Sequence, residues 1–269
     1  MKRNIACIIA RTNSTRLPKK VLREVRGISM IEYIIRKIKR AKLVDDIYIC
    51  TSTHSTDKIL IDIAESLGVK AYAGSLDSII DRMIDVGEIE KADNVIRITG
   101  DNIFTDEKYL DLMIKYHKKN HADYTRVENL PIGVTSEVIS LKALKRCYTM
   151  MNPNESQYLL LYMFQPSKFK CQVLLPIVKH QQPQMTLTVD TPEDFERTKL
   201  ITEAFPNKIV TLDDVLNFCK KNHLDHTIYK PNDIVKFPSN LEMTFKSFRT
   251  EIDARIEMAE KIYLKSDEY

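Results

Sequence analysis

Five short apolar runs between Asn4 and Val127, separated by stretches of helical period, restrict the fold more than any other feature of this chain. "NIACIIA", "DDIYICTS", "VKAYA", "NVIRIT" and "ADYTRV" are apolar and bounded by polar residues, as buried strands are. After the first, Ile31, Ile34, Ile35 and Ile38 recur at helical spacing behind Ser29 and Glu32, a pair that resembles a capping box. The same reasoning predicts helices over 56–67, closed by Gly68 as a left-handed cap, over 77–90 and over 106–120. Strand and helix alternating at this pitch imply parallel β-α-β units. The expected fold is α/β: a Rossmann-like, mostly parallel sheet with helices on both faces. In such sheets ligands bind beyond the carboxyl ends of the strands, near the switch in strand order.

The later half has helical patterning over 192–205, 212–222 and 250–263, with Thr191-Pro192 as a helix start. A composition shift near Pro206 divides the chain into a main domain, 1–206, and a helical, charged C-terminal extension, 207–269. The extension is expected to pack on the main domain or at a homodimer interface. Ile252, Ile256, Ala259 and Tyr263 would form one side of its last helix. "YLLLYMF", residues 158–164, reads as a core helix.

Charge excludes some function classes. With 41 basic and 37 acidic residues the net charge is +4, which does not indicate a nucleic-acid partner. Clusters such as Lys37, Lys39, Arg40 and Lys42, or Lys115, Lys118 and Lys119, read as solvated helix faces. No apolar run approaches the ~20 residues of a membrane span, and "MKRNIACIIA" lacks a signal-peptide cleavage site. Five cysteines without a CxxC pair suit reduced thiols in a cytoplasmic protein. His117 and His121, four apart, have the form of a zinc pair but no third ligand; with lysines on both flanks a solvated face is expected. His223 and His226 carry no metal pattern either.

The loop after the first strand carries chemistry. "ARTNSTRLPKK" delivers Arg11, Ser14, Thr15, Arg16, Lys19 and Lys20 within ten residues, with Pro18 stiffening it. Neither GxxxxGK[ST] nor GxGxxG is present, so anions would be held by side chains as well as backbone amides. Such a donor count suits a triphosphate. An ordinary basic surface loop would have the same composition. All six glycines lie at or before residue 133, which favours a phosphate site in that half. "RITGDN" ends a strand in Thr99, Gly100 and Asp101, and a carboxylate there, with substrate phosphates, is the usual donor set for Mg²⁺. "LTVDTPEDF" puts Asp190 at another strand end. Either aspartate could instead cap a helix or turn.

In the order "ARTNSTRLPKK", "GSLDSIIDR", "RITGDN", "PIGVTSEV" and "TVDTPEDF", these motifs resemble the cytidylyltransferase family, which includes CMP-sugar-acid synthetases. The nearest branch is that of the SpsF-like spore-coat polysaccharide proteins, and the likeness covers about residues 4–205. It implies a nucleotide-diphospho-sugar transferase fold. It also implies a Mg²⁺-dependent reaction in which an acceptor oxygen attacks the α-phosphorus of CTP and pyrophosphate leaves, serving a surface glycan or polysaccharide. Carried over by position, Arg11, Arg16, Lys20 and Asp101 are catalytic. Ala10, Arg11, Thr12, Asn13, Ser14, Arg16 and Lys20 hold the triphosphate. Thr51, Ser52, Thr53, Ser75, Asp77, Asp81, Arg82, Thr99 and Gly100 complete the nucleotide site. Asp101 and Asp190 ligate the metal, and Thr135, Glu137, Glu155 and Ser156 lie on the acceptor side. The partners implied are CTP and a small-molecule acceptor.

Three departures from the family pattern matter. Asn13 replaces a loop glycine, a change Asn tolerates because it enters the left-handed region readily. "GVTSE" has Thr135 where the branch has Asp. "NES", residues 154–156, keeps Glu155 but replaces an Arg and a His by Asn154 and Ser156. A changed acceptor is the favoured explanation. A glycosyltransferase is the second reading, although "DD" at 45–46 and 213–214 lies in the wrong context for its metal motif. A non-catalytic nucleotide-binding homologue is the third.

Overall fold

The structure, a computed structural model, describes residues 3–224, 228–237 and 242–269. In chain order the strands are β1 (Asn4–Ile9), β2 (Glu24–Val25), β3 (Ile28–Ser29), β4 (Asp46–Ser52), β5 (Lys70–Gly74), β6 (Asn94–Thr99), β7 (Tyr124–Val127), β8 (Glu137–Ser140), β9 (Cys171–Leu175), β10 (Ile234–Lys236), β11 (Glu242–Thr244) and β12 (Glu260–Tyr263). The α-helices are α1 (Met30–Ile38), α2 (Lys58–Ser66), α3 (Ile79–Ile89), α4 (Glu107–Asn120), α5 (Leu141–Tyr148), α6 (Leu159–Met163), α7 (Pro192–Glu203), α8 (Leu212–Lys221) and α9 (Phe245–Met258).

Eight strands form one sheet in the order β12-β9-β7-β8-β6-β1-β4-β5. Every neighbour pair is parallel except those of β8, which runs against both β6 and β7. The α/β reading holds, and all five predicted strands are present. Alternation along each strand separates two cores. Ala6 and Ile8 of β1, with Ile49 and Ile98, face the side covered by α1, α2, α4, α7 and α8. Ile5 and Cys7, with Cys50 and Val95, face α3, α5, α6 and α9.

The helices begin where the sequence supplies a capping oxygen. The Ser29 hydroxyl accepts from the Glu32 amide at 3.3 Å, and Asp106 accepts from the amides of Lys108 and Tyr109. Thr191 with Asp194, and Thr211 with Asp214, form complete capping boxes. Each such cap is worth about 1 kcal/mol. Gly68, at φ +62°, follows the end of α2.

Four expectations are corrected. Residues 260–263 form β12 rather than the end of a helix: Ala259 leaves the helical region, and Leu264 donates its amide to Leu175 at the sheet edge. Ile252 and Ile256 are buried as expected, whereas Tyr263 on the strand is 71% exposed. Lys37 is not on a solvated face; it is buried, its ammonium donating to the Val210 carbonyl at 2.8 Å and pairing with Glu107 at 3.3 Å. His117 is also buried, its Nδ1 2.8 Å from the Thr125 hydroxyl. His226 lies outside the described residues. All five cysteines are buried and unpaired, and "YLLLYMF" places Leu159, Met163 and Phe164 in the core. Among the described residues no helix is long and apolar enough to cross a membrane.

Candidate active site

The order of the sheet brings the decisive loops together. From β1 the chain moves outward to β4 on one side and later returns to β6 on the other, so the carboxyl ends of β1 and β6 flank the switch point. Backbone bonds tie these ends: the Gly100 amide donates to Ile9 at 2.9 Å and the Ala10 amide to Cys50 at 3.3 Å. Gly100 suits this close approach, because a Cβ there would crowd Val21 at 3.0 Å and the Ile9 carbonyl at 3.1 Å.

A cleft of about 540 Å³ opens at this edge. Its lining includes Ala10, Arg11, Asn13, Ser14, Arg16, Lys20, Asp77, Arg82, Thr99, Gly100, Asp101 and Asp190, all anticipated from the sequence. Five cationic side chains, the fifth being Arg97, face three carboxylates, so the cleft favours an anion. Lys20 lies between the two aspartates, its Nζ 2.9 Å from Asp190 Oδ1 and 3.3 Å from Asp101 Oδ2. Arg16 Nη2 is 3.2 Å from the same Asp190 oxygen. Asp190 sits at the N-terminal approach to α7, its amide held by Asp194 Oδ2 at 3.0 Å, and the Val189 amide donates to the Asp101 carbonyl. Both aspartates are thereby fixed through their backbones while their oxygens converge on one cation-sized point. Hard oxygens in that arrangement, with phosphate oxygens and water completing the shell, suit Mg²⁺. The lysine ammonium marks the position a cation takes. Among the described residues no group of three or more His, Cys, Asp or Glu side chains forms a metal cage.

The loop itself corrects one detail. Its left-handed residue is Lys19, at φ 52°, immediately before the short 3-10 turn Lys20–Leu22; Asn13 is not in that region.

Several anticipated nucleotide residues do not reach the cleft. Thr51 and Ser52 are buried in β4, and Thr12 is buried behind the loop. Thr53 is exposed and donates its amide to Gly74 at 3.1 Å. The Ser75 hydroxyl accepts from the Ser78 amide at 3.1 Å, and the Asp81 amide donates to Ser78 Oγ at 3.3 Å; neither residue lines the cleft. What organises Thr12 and Ser52 is a residue the sequence reading missed. Asp57 is buried and accepts from the Thr12 amide at 2.7 Å, from the Thr12 hydroxyl at 2.6 Å and from the Ser52 hydroxyl. Burial pushes its carboxyl up, but the hydrogen bonds from Ser52 and Thr12 outweigh that and hold it below the usual carboxylate range. Arg82, also buried, donates to the Cys50 carbonyl at 3.0 Å, and its Nε has no partner; burial, with Arg11 nearby, lowers its pKa.

A second cavity of about 280 Å³ adjoins the first and shares Arg97, Thr99 and Asp101 with it. Thr135 and Glu137, two of the four residues that the family resemblance puts on the acceptor side, line it. Glu137 is engaged: it accepts from Arg97 Nη1 at 2.6 Å and from the Tyr124 hydroxyl. Arg126 and Arg249 both pair with Glu128 in the same wall, at 2.7 and 3.1 Å. The other two residues of that group, Glu155 and Ser156, are not in its lining. Ser156 is fully buried, its hydroxyl accepting from the Ile79 and Ile80 amides at 2.8 and 3.1 Å, so it caps α3 instead of facing an acceptor. Glu155 accepts from the Tyr162 hydroxyl and lines neither cavity. Arg97, missed in the sequence, stands between the cavities; its position inside "RITGDN", two residues before Thr99 on a strand and hence on the same face, was the available signal.

A cationic cleft with converging carboxylates at the switch point of such a sheet defines a nucleotide-handling α/β enzyme. Comparison with known proteins gives the class a family. Residues 5–226 match the cytidylyltransferase family. The chain is 31% identical over 223 residues to the spore coat polysaccharide biosynthesis protein SpsF of Bacillus subtilis (strain 168), covering 80% of this chain and 93% of that one. It is 32% identical over 120 residues to a 3-deoxy-manno-octulosonate cytidylyltransferase of Chloroherpeton thalassium, covering 44% and 47% respectively. A solved cytidylyltransferase from Leptospira borgpetersenii superposes with a TM-score of 0.78 at 25% identity, over 84% of this chain and 98% of that one. A CMP-2-keto-3-deoxy-manno-octonic acid synthetase solved with CTP shares the fold at a TM-score of 0.60 and 14% identity, over 76% and 99%. The chain belongs to the cytidylyltransferase family and is a nucleotidyltransferase.

Proposed function

We propose that the protein transfers CMP from CTP, with Mg²⁺, to a sugar acid or another small acceptor, releasing pyrophosphate in the biosynthesis of a surface glycan. The observation that carries this reading is the convergence of Arg16 and Lys20 with Asp101 and Asp190 in the first cavity, where Asp101 also borders the second. The relatives that act in polysaccharide biosynthesis or transfer a cytidylyl group to a sugar acid support the glycan role. Buried, unpaired cysteines fit a cytoplasmic site of action, where CTP is available.

In this reading the triphosphate lies along the loop after β1, with Arg11, Ser14, Arg16 and Lys20 on its oxygens. The acceptor occupies the second cavity. Its hydroxyl oxygen forms a bond to the α-phosphorus, the bond from that phosphorus to the bridging oxygen breaks, and the hydroxyl proton is lost to water. Magnesium held by Asp101 and Asp190 would add positive charge beside the reacting phosphate. Lys20 and Arg16 neutralise charge that builds on the leaving pyrophosphate, and Arg97 orients the acceptor across the shared wall. No side-chain nucleophile is required. The test is thermal stability with CTP, UTP, ATP and GTP, each with and without Mg²⁺, followed by pyrophosphate release across a panel of sugar acids. Ligand at ~100 times its Kd stabilises by about 2.7 kcal/mol. A shift with CTP and Mg²⁺ above all other pairs is expected; no shift with any nucleotide would refute the reading.

A further inference from the structure

Lys20 does more in this geometry than bind a phosphate. Its ammonium stands between Asp190 Oδ1 and Asp101 Oδ2, at 2.9 and 3.3 Å, and only 13% of its side chain is exposed. A magnesium ion binds carboxylate oxygens at about 2.0–2.1 Å, so it and the ammonium would compete for the same pair. The two positive charges cannot share that space. Arg16, 3.2 Å from Asp190, supplies a second cation of the chain's own. Two carboxylates facing two internal cations offer a divalent ion little net attraction.

The same side chain can leave. Lys20 opens the short turn Lys20–Leu22, whose Val21 is buried and anchors the backbone, so exchange needs only rotation of a flexible four-carbon stem. Arg11, Asn13 and Ser14 line the same cleft, and a triphosphate bound there would offer the ammonium its oxygens. Building on the metal reading above, we propose that Lys20 is a resident competitor at the metal position. It suppresses divalent-cation binding by Asp101 and Asp190 unless a triphosphate draws it away. Nucleotide and metal then bind cooperatively through this chain's own lysine, and by linkage each raises the other's affinity by the same factor.

Manganese supplies a probe independent of turnover. Free Mn²⁺ is titrated by electron paramagnetic resonance against the wild type, Lys20→Met, Lys20→Arg and the double variant Asp101→Asn/Asp190→Asn. Each is measured alone and with α,β-methylene CTP, and thermal melting verifies folding. Without nucleotide, Lys20→Met should bind Mn²⁺ at least tenfold more tightly than the wild type, and Lys20→Arg should restore weak binding. Adding the analogue should raise Mn²⁺ affinity less in Lys20→Met than in the wild type. Equal affinities of wild type and Lys20→Met without nucleotide would overturn the competitor role while leaving the metal site standing. If the double variant with the analogue binds Mn²⁺ as the wild type does, the metal assignment itself fails, and the proposal with it.

Discussion

Replacing Asp57 with alanine should unlatch the cationic loop without altering any residue that lines the cleft. The carboxylate accepts three hydrogen bonds, two from Thr12 inside the loop and one from Ser52 in β4. Bonds to an ionised group contribute ~1.5 kcal/mol each at the lower end, or about 4.5 kcal/mol together. The cost of keeping a carboxylate buried offsets part of this, and the Thr12 hydroxyl retains Thr56 Oγ1 at 2.9 Å. A net destabilisation of about 2–3 kcal/mol is expected, measured by urea denaturation. CTP affinity, measured by calorimetry, should fall at least tenfold because Arg11, Ser14 and Arg16 lose their common anchor. Asp57→Asn keeps one acceptor oxygen and should recover part of both effects. The pH dependence has a definite sign. Since the folded carboxyl is held low, its contribution is fully present above the unfolded value of ~3.9 and is lost as pH falls through the lower folded value. Asp57→Asn should therefore flatten the acid limb of the stability profile below about pH 4. Unchanged stability and unchanged CTP affinity in Asp57→Ala would refute the latch.

Lys20→Ala should leave the fold intact and weaken CTP binding by about 10- to 100-fold, the worth of one charge-assisted phosphate contact; retained full affinity in calorimetry would remove Lys20 from the phosphate site. Gly133→Ala meets a backbone at φ +96° and places a Cβ 2.6 Å from the Thr188 amide nitrogen, so a loss of at least ~2 kcal/mol should appear in denaturant melts. Glu137→Gln leaves Arg97 without its ionic partner; ~2–3 kcal/mol of stability should be lost. The acceptor KM of that variant should rise more than the CTP KM in pyrophosphate-release kinetics.

β1, β4, β6 and β7 were legible because they are buried on both faces and flanked by polar punctuation; the edge strand β5, only half-buried, was legible from its short apolar run after Gly68. β8 and β12 were not. β8 is four residues long and antiparallel, and its identity depends on β6 and β7 lying far enough apart to admit it. β12 follows α9 with no glycine or proline between them, and Ile252, Ile256 and Ala259 continue a helical spacing right up to the point where the chain turns. What ends the helix is the open edge of β9, whose Leu175 carbonyl receives the Leu264 amide; that partner is 89 residues away and leaves no local trace. The buried Lys37 has the same origin, since its partners, the Val210 carbonyl and Glu107, come from distant segments.

At the site, the charged residues singled out from the sequence are those the structure brings together. Arg11, Arg16, Lys20, Asp101 and Asp190 all line the one cleft at the sheet edge, with Lys20 and Arg16 paired to the aspartates. The small hydroxyl residues divide: Ser14, Thr99 and Thr135 line a cavity, whereas Thr12, Ser52, Ser75 and Ser156 bond to the protein itself, as such groups do readily. The family resemblance implies a histidine at 156, yet here the Ser156 oxygen caps the first turn of α3. That exchange has a consequence for specificity. A side chain at 156 that caps α3 is turned away from an acceptor, so in the proposed reading this position makes no contact with it. Arg97, Arg126 and Arg249 line the second cavity, so positive charge is present there without a cationic residue at 156; of the three, only Arg97 on β6 also lines the first cavity, and in the proposed reading it is therefore the one able to meet both nucleotide and acceptor.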